Sequence, residues 1–156
     1  MSTRRTHGAI AASLLPTTPG FLRLQAGRRG DSGGLGFRGR AISFGELARA
    51  VEELQAWLAR RGVGYGQTVG IIAANEPAMP AALYAIWGLG AAAVPISTRS
   101  TPEEAARLLD HARARVLLTD VARADTARAA AAGEPRLQVL DRTSQLAEGN
   151  GTTPEP

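Results

Sequence analysis

Cysteine and lysine are both absent from the 156-residue chain. Without cysteine there is no disulfide framework, no thiol nucleophile and no thiolate ligand for zinc or an iron–sulfur cluster. Without lysine there is no Schiff-base chemistry and no phosphate-loop lysine, and all eighteen basic side chains are arginine. Histidine is scarce: His7 and His111 lie 104 residues apart and do not make a His-rich metal site. Aromatic residues make up 4% of the chain, so the core has to be built from Leu, Val, Ile and Ala. Long hydrophobic runs are missing as well. The longest uncharged stretch, Pro77 to Thr98, has 22 residues, enough to span a bilayer. Pro77, Pro80, Pro95, Gly88 and Gly90 interrupt it, and it reads as a buried helix, a glycine turn and a strand, with no membrane span.

What remains is globular in composition. Hydrophobic residues are 44% and charged residues 21% of the chain, and its length suits one domain of roughly 150 residues. Thirty residues are alanine, which favours helix but fills a core thinly. The charge is uneven. Residues 1–40 hold seven Arg and one acid, Asp31, a net of +6, whereas residues 41–156 hold eleven Arg and thirteen acids, a net of −2. A basic arm can meet phosphate backbones or anionic lipid. This one lacks interleaved aromatics and a helical face, so it is expected to be a solvated leader that binds no nucleic acid. The apolar run Gly8–Leu15 behind Arg4-Arg5 is short and interrupted by Ser13, which argues against an export signal and for a cytoplasmic protein.

The pattern along the chain predicts three regions: a basic Gly/Arg-rich arm with a short hairpin at 1–40, an α/β unit at 41–141, and a linker or tail at 142–156. Extended segments are expected at Phe21–Leu24 and Leu35–Phe37, the second turning at Arg38-Gly39-Arg40 into Ile42. Ser43 and Glu46 form a capping-box pattern. The helix behind it carries Leu47, Val51, Leu54 and Leu58 on one stripe and stops at Gly62. Thr68–Ala74 is continuously apolar, as in a strand covered on both faces. A helix from Glu76-Pro77 to Gly88 and a strand over Ala91–Ile96 follow. Thr101-Pro102-Glu103-Glu104 starts another helix, with Ala105, Leu108, Leu109 and Ala112 inward. Val116–Thr119 (strand), Val121–Ala132 (helix) and Leu137–Leu140 (strand) complete the series. Four strands joined by three crossover helices predict a doubly wound, mainly parallel α/β sheet with helices on both faces.

Several motifs invite chemistry. Gly34-Leu35-Gly36-Phe37-Arg38-Gly39 has the letters of a dinucleotide fingerprint, but the fingerprint works only between a strand and a helix, and here a hairpin is expected. Ser43 and Glu46 lack a nearby histidine and are caps. His111 beside Asp110 is expected at the surface, and the Glu103–Glu104 pair suits a helix dipole. Arg99 follows a strand's carboxyl end, where α/β sheets bind ligands, and is the one candidate substrate-binding residue. No residue is assigned a catalytic, cofactor-binding or metal-binding role.

Two blocks resemble those of the adenylate-forming ligases: Ile42-Ser43-Phe44-Gly45-Glu46-Leu47 and Trp87-Gly88-Leu89-Gly90-Ala91-Ala92-Ala93-Val94-Pro95-Ile96. Between them, Arg61-Gly62-Val63, Gly66, Val69-Gly70-Ile71 and Asn75-Glu76-Pro77 match the family's intervening passages, with Gln67 where Asp is usual. The stretch Thr98–Glu104 is similar to the acyl-CoA synthetase branch more than to peptide-synthetase adenylation domains. The resemblance covers residues 42–120 and implies the first subdomain of an AMP-forming acyl-CoA synthetase. Such an enzyme converts a carboxylic acid and ATP to an acyl-adenylate, then to acyl-CoA, and ATP, Mg and coenzyme A are implied for a full-length ligase. The family's phosphate loop and catalytic lysine have no counterpart here, so these residues alone are not expected to be active. The implied partner is the remainder of the ligase, or a partner chain, at an exposed sheet edge. The other reading is a freestanding, non-catalytic α/β module that binds a ligand or partner.

Overall fold

Local signals in the chain start most of its elements. In the computed structural model, residues 18–29 and 32–141 are described. The expectations for His7, the Arg4-Arg5 segment and the tail 142–156 lie outside them. The first element is a helix, α1 (Thr18–Arg29). An antiparallel hairpin follows, β1 (Gly34–Phe37) and β2 (Arg40–Ser43), paired from Gly34↔Ser43 to Phe37↔Arg40. Its turn has positive φ at Arg38 (48°) and Gly39 (77°), the two-residue geometry that suits strand twist.

Next comes α2 (Phe44–Ala59). The Ser43 hydroxyl accepts from the Glu46 N–H at 3.1 Å, and the Glu46 carboxylate accepts from the Ser43 N–H at 2.8 Å. Two otherwise orphaned amides are thereby satisfied. The helix buries Leu47, Val51, Leu54 and Leu58, and Gly62, at φ 81°, turns the chain away.

The α/β series then runs β3 (Thr68–Ile72), α3 (Ala78–Gly88), β4 (Ala92–Pro95), α4 (Pro102–His111), β5 (Val116–Thr119), a 3₁₀ turn at Val121–Arg123, α5 (Ala124–Ala131) and β6 (Gln138–Asp141). A second capping box opens α4, where Thr101 and Glu104 exchange bonds of 3.2 and 3.0 Å. The four strands lie in the order β4-β3-β5-β6, every pair parallel. Side chains alternate across this sheet. Val69, Ile71, Val116 and Leu118 face α1, α2 and α3, while Ile72 and Leu117 face α4 and α5. The doubly wound, parallel α/β architecture expected from the sequence is present.

Gly70 lets α4 approach. An added Cβ would overlap Leu109 Cδ2 and lie 3.2 Å from Leu117 Cδ1.

Two expectations are corrected. Phe21–Leu24 is helical, not extended, because Leu22 and Ala26, about one turn apart, pack against the core beside α2. Leu108 is 46% exposed, whereas Ala105 and Leu109 are buried. Positions 105 and 109 lie about 40° apart on a helix, and position 108 falls about 100° from 109. The expected division after residue 40 falls at the start of β2, and Leu22, Leu35 and Ile42 all reach the same core as α2.

Candidate functional site

A doubly wound sheet offers its ligand crevice where neighbouring strands send their connections to opposite faces. Here that point lies between β3, whose chain continues into α3, and β5, whose chain continues into α5. Asp120 stands there, immediately after β5 and 9% exposed. Its Oδ2 accepts from the Ala74 N–H beyond β3 at 2.8 Å and from Arg123 Nη1 at 2.6 Å. Its Oδ1 is buried without a partner among the described residues. The Thr119 hydroxyl, also buried, donates to the Asp120 carbonyl at 3.1 Å. Asp120 therefore ties the two strand ends together across the switch point, with Arg123 balancing its charge. Sequence reasoning missed it. The available signal was an acid directly following a short, fully buried strand, Val116–Thr119, in an α/β series.

Arg99 lies beyond the end of β4, in an exposed turn where its N–H donates to Ser97 Oγ at 3.2 Å. Because β3 intervenes, Arg99 and Asp120 stand over strands roughly 10 Å apart. The sheet thus brings Arg99 to the carboxyl edge without joining it to the Asp120 cluster. Ser43 and Glu46 serve as caps. Backbone and hydroxyl bonds from Ser43 hold the Glu46 carboxyl below its ordinary value. His111 is exposed in the last turn of α4. The Gly34–Gly39 motif is the β1–β2 hairpin, in which a Cβ on Gly34 would overlap the Ile42 carbonyl.

Clefts open on the surface of the described residues. One of about 340 Å³ lies between α4 and α5, lined by Glu103, Arg107, Asp110 and Glu134 among others. Another of about 220 Å³ lies where the hairpin meets the β3–α3 loop, lined by Phe37, Arg38, Arg40, Ile42, Glu76 and Pro77. Neither lining holds a serine, threonine or histidine. Among the described residues no group of three His, Asp or Glu side chains is placed to hold a metal ion. No helix among them is long and apolar enough to cross a membrane.

The two sheet edges differ. On β4, the Ala92 and Ile96 amides bond to β3, so alternation turns Ala93 and Pro95 outward. Proline has no N–H, which leaves this edge blunted. On β6, the Gln138 amide bonds to β5, so Val139 and Asp141 face outward with N–H groups unpaired among the described residues.

This arrangement, a parallel sheet wound on both faces and tied at its switch point, defines a doubly wound α/β scaffold. A sequence profile for the family described as AMP-binding enzyme matches residues 22–155, and the chain belongs to that family. It is 33% identical over 114 residues to "Chalcone synthase cfoA" of Aspergillus candidus, covering 73% of this chain and 4% of that protein. It is 37% identical over 81 residues to "Tyrocidine synthase 3" of Brevibacillus parabrevis, covering 52% of this chain and 1% of that one. Among solved structures, the Klebsiella oxytoca NpsA N-terminal subdomain in complex with 3-hydroxybenzoyl-AMSN superposes with a TM-score of 0.71 at 24% identity. That match covers 91% of this chain and 34% of the other. The o-succinylbenzoate coenzyme A synthetase MenE of Bacillus subtilis, in complex with AMP, gives 0.70 at 24% identity over 86% of this chain and 34% of MenE. These likenesses show the shared fold. The chain spans a small fraction of the curated relatives' length and about a third of those solved structures.

Proposed function

We propose that this chain forms the opening lobe of a cytoplasmic AMP-forming acyl-CoA synthetase and supplies scaffold rather than reacting groups. The observation that carries the reading is the family match over residues 22–155 on a sheet whose switch point is closed by Asp120. The acyl-CoA branch is favoured by the Thr98–Glu104 stretch, which forms the turn after β4 and the capping box of α4. In the complete enzyme, the carboxylic acid would react with ATP to give the acyl-adenylate, and the acyl group would pass to coenzyme A. Stabilising the departing pyrophosphate requires cations at its phosphates. The chain has no lysine, and the described residues offer no metal-binding group, so they do not fit the Mg-nucleotide centre. That centre belongs to the rest of the ligase. The open β6 edge suits pairing with that remainder, and the proline-blunted β4 edge does not. Arg99 remains the residue to test for substrate contact.

The intact mass of the native protein in its source cells tests the reading. A species of several tens of kilodaltons containing these peptides supports it, and ligase activity should reside in that species. The 156-residue chain itself should show no acid-dependent ATP–pyrophosphate exchange above a heat-killed control. A native chain of 16.3 kDa would instead favour the freestanding binding module.

A further inference from the structure

We propose that the flank of α4 facing β4 is the seat of a further helix, supplied by the remainder of the ligase and presenting an apolar stripe. The proposal rests on reading the chain as the opening lobe of a larger enzyme. On this face of the sheet the described residues place two helices, α4 and α5, over four strands. Leu109 holds α4 over β3 by meeting Gly70, and α5 lies over β5 and β6. No described helix is centred over β4 on this side.

The side chains agree. Val94 stands beside Gly70 in the parallel register and is half-buried, whereas Ile72 and Leu117 on the same face are 1% and 0% exposed. Ala92, on that face by alternation, is exposed. On α4, Glu103, Arg107 and Asp110 turn toward α5. Leu108 falls about 100° from positions 107 and 109, on the flank away from α5 and toward β4. It is 46% exposed.

A helix fits this position better than a strand. Pro95 offers no N–H at the outer edge of β4, so the sheet is not extended there by regular pairing. A helix beside α4, at the usual spacing of about 8–10 Å, would lie over Val94 and Ala92 and bury Leu108 between the two. The remainder of the ligase is the occupant because the chain covers 34% of the NpsA subdomain and 34% of MenE. The larger part of such a domain therefore packs around it.

Leu108→Cys puts a single thiol into these residues, and its rate of alkylation by a maleimide reads the cover. The thiol should react freely in the chain alone and at least about tenfold more slowly in the full-length species, scored on the peptide holding position 108. Leu108→Glu should leave the melt of the chain alone unchanged, as at other surface sites, and lower that of the full-length enzyme by several degrees. Should the glutamate variant not fold, the cysteine variant carries the test. Photo-leucine at position 108 should cross-link to a segment of the remainder whose apolar residues recur at helical spacing, and capture of a segment without that spacing would overturn the helix. Equal alkylation in both species would overturn the proposal and leave the ligase reading in place. Protection in the chain alone would also overturn it, the cover then being the chain itself or, where protection grows with concentration, a second copy. A native chain of 16.3 kDa would remove the ligase reading and this proposal together.

Discussion

Gly70 is the position where a single methyl group should reveal how closely α4 sits on the sheet. Its backbone is ordinary strand, so alanine carries no conformational penalty there and would even stiffen the strand. Packing opposes it: the new Cβ would overlap Leu109 Cδ2, and Leu109 is 2% exposed and hemmed by Ile72, Ile96 and Leu117. Overfilling a core of this kind costs about 1–3 kcal/mol. For a domain near this size that lowers the melting temperature by about 3–9 °C. Leu109→Ala alone should cost about 2–5 kcal/mol through the cavity it leaves. Combined with Gly70→Ala, the added methyl enters that cavity, and the double variant should be about 1–2 kcal/mol more stable than the sum of the single effects. Urea melts of the parent, both single variants and the double variant measure this. A Gly70→Ala chain as stable as its parent, or strictly additive variants, would refute the close approach.

Other substitutions test the site and the caps. Asp120→Ala leaves the Ala74 N–H and Arg123 without their acceptor and should cost about 2 kcal/mol. Asp120→Asn should cost about half as much by keeping an acceptor for Ala74, and a melt in which both match the parent would remove the tie. The Glu46 carboxyl, held below its ordinary 4.5 by the Ser43 N–H and then by the Ser43 hydroxyl, stabilises α2 fully above that value. This contribution is lost as pH falls through the lowered value. The gap between parent and Glu46→Gln, about 0.5 kcal/mol near neutrality at this exposed site, should therefore close in acid; a constant gap in melts across pH would count against the capping bond.

Much of the fold was legible because its signals are local. Ser43 with Glu46 and Thr101 with Glu104 fix helix starts by hydrogen bonds within four residues, whatever surrounds them. Thr68–Ala74, which holds β3, read as a covered strand because a continuous apolar run is stable only when both faces are buried. The alternation of such strands with helices implied the parallel sheet. Sequence reasoning missed the helix signals of residues 18–29, Thr18-Pro19 and the helix formers Leu22–Ala26, which Gly20 and Gly27 dilute; Leu22 and Ala26 meeting the core beside α2 complete the helix.

The composition determined what chemistry the chain could not carry, since no arrangement supplies a lysine ammonium or a thiolate that the sequence lacks. Order and spacing determined the alternating α/β class. Tertiary structure alone decided the strand order β4-β3-β5-β6, and with it the placing of Asp120 opposite Ala74 across 46 residues of chain. It also decided which edge Pro95 blunts and which face of α1 is left open to water. These depend on contacts between segments far apart in sequence, and such contacts are set by how whole elements pack rather than by any residue's own preference.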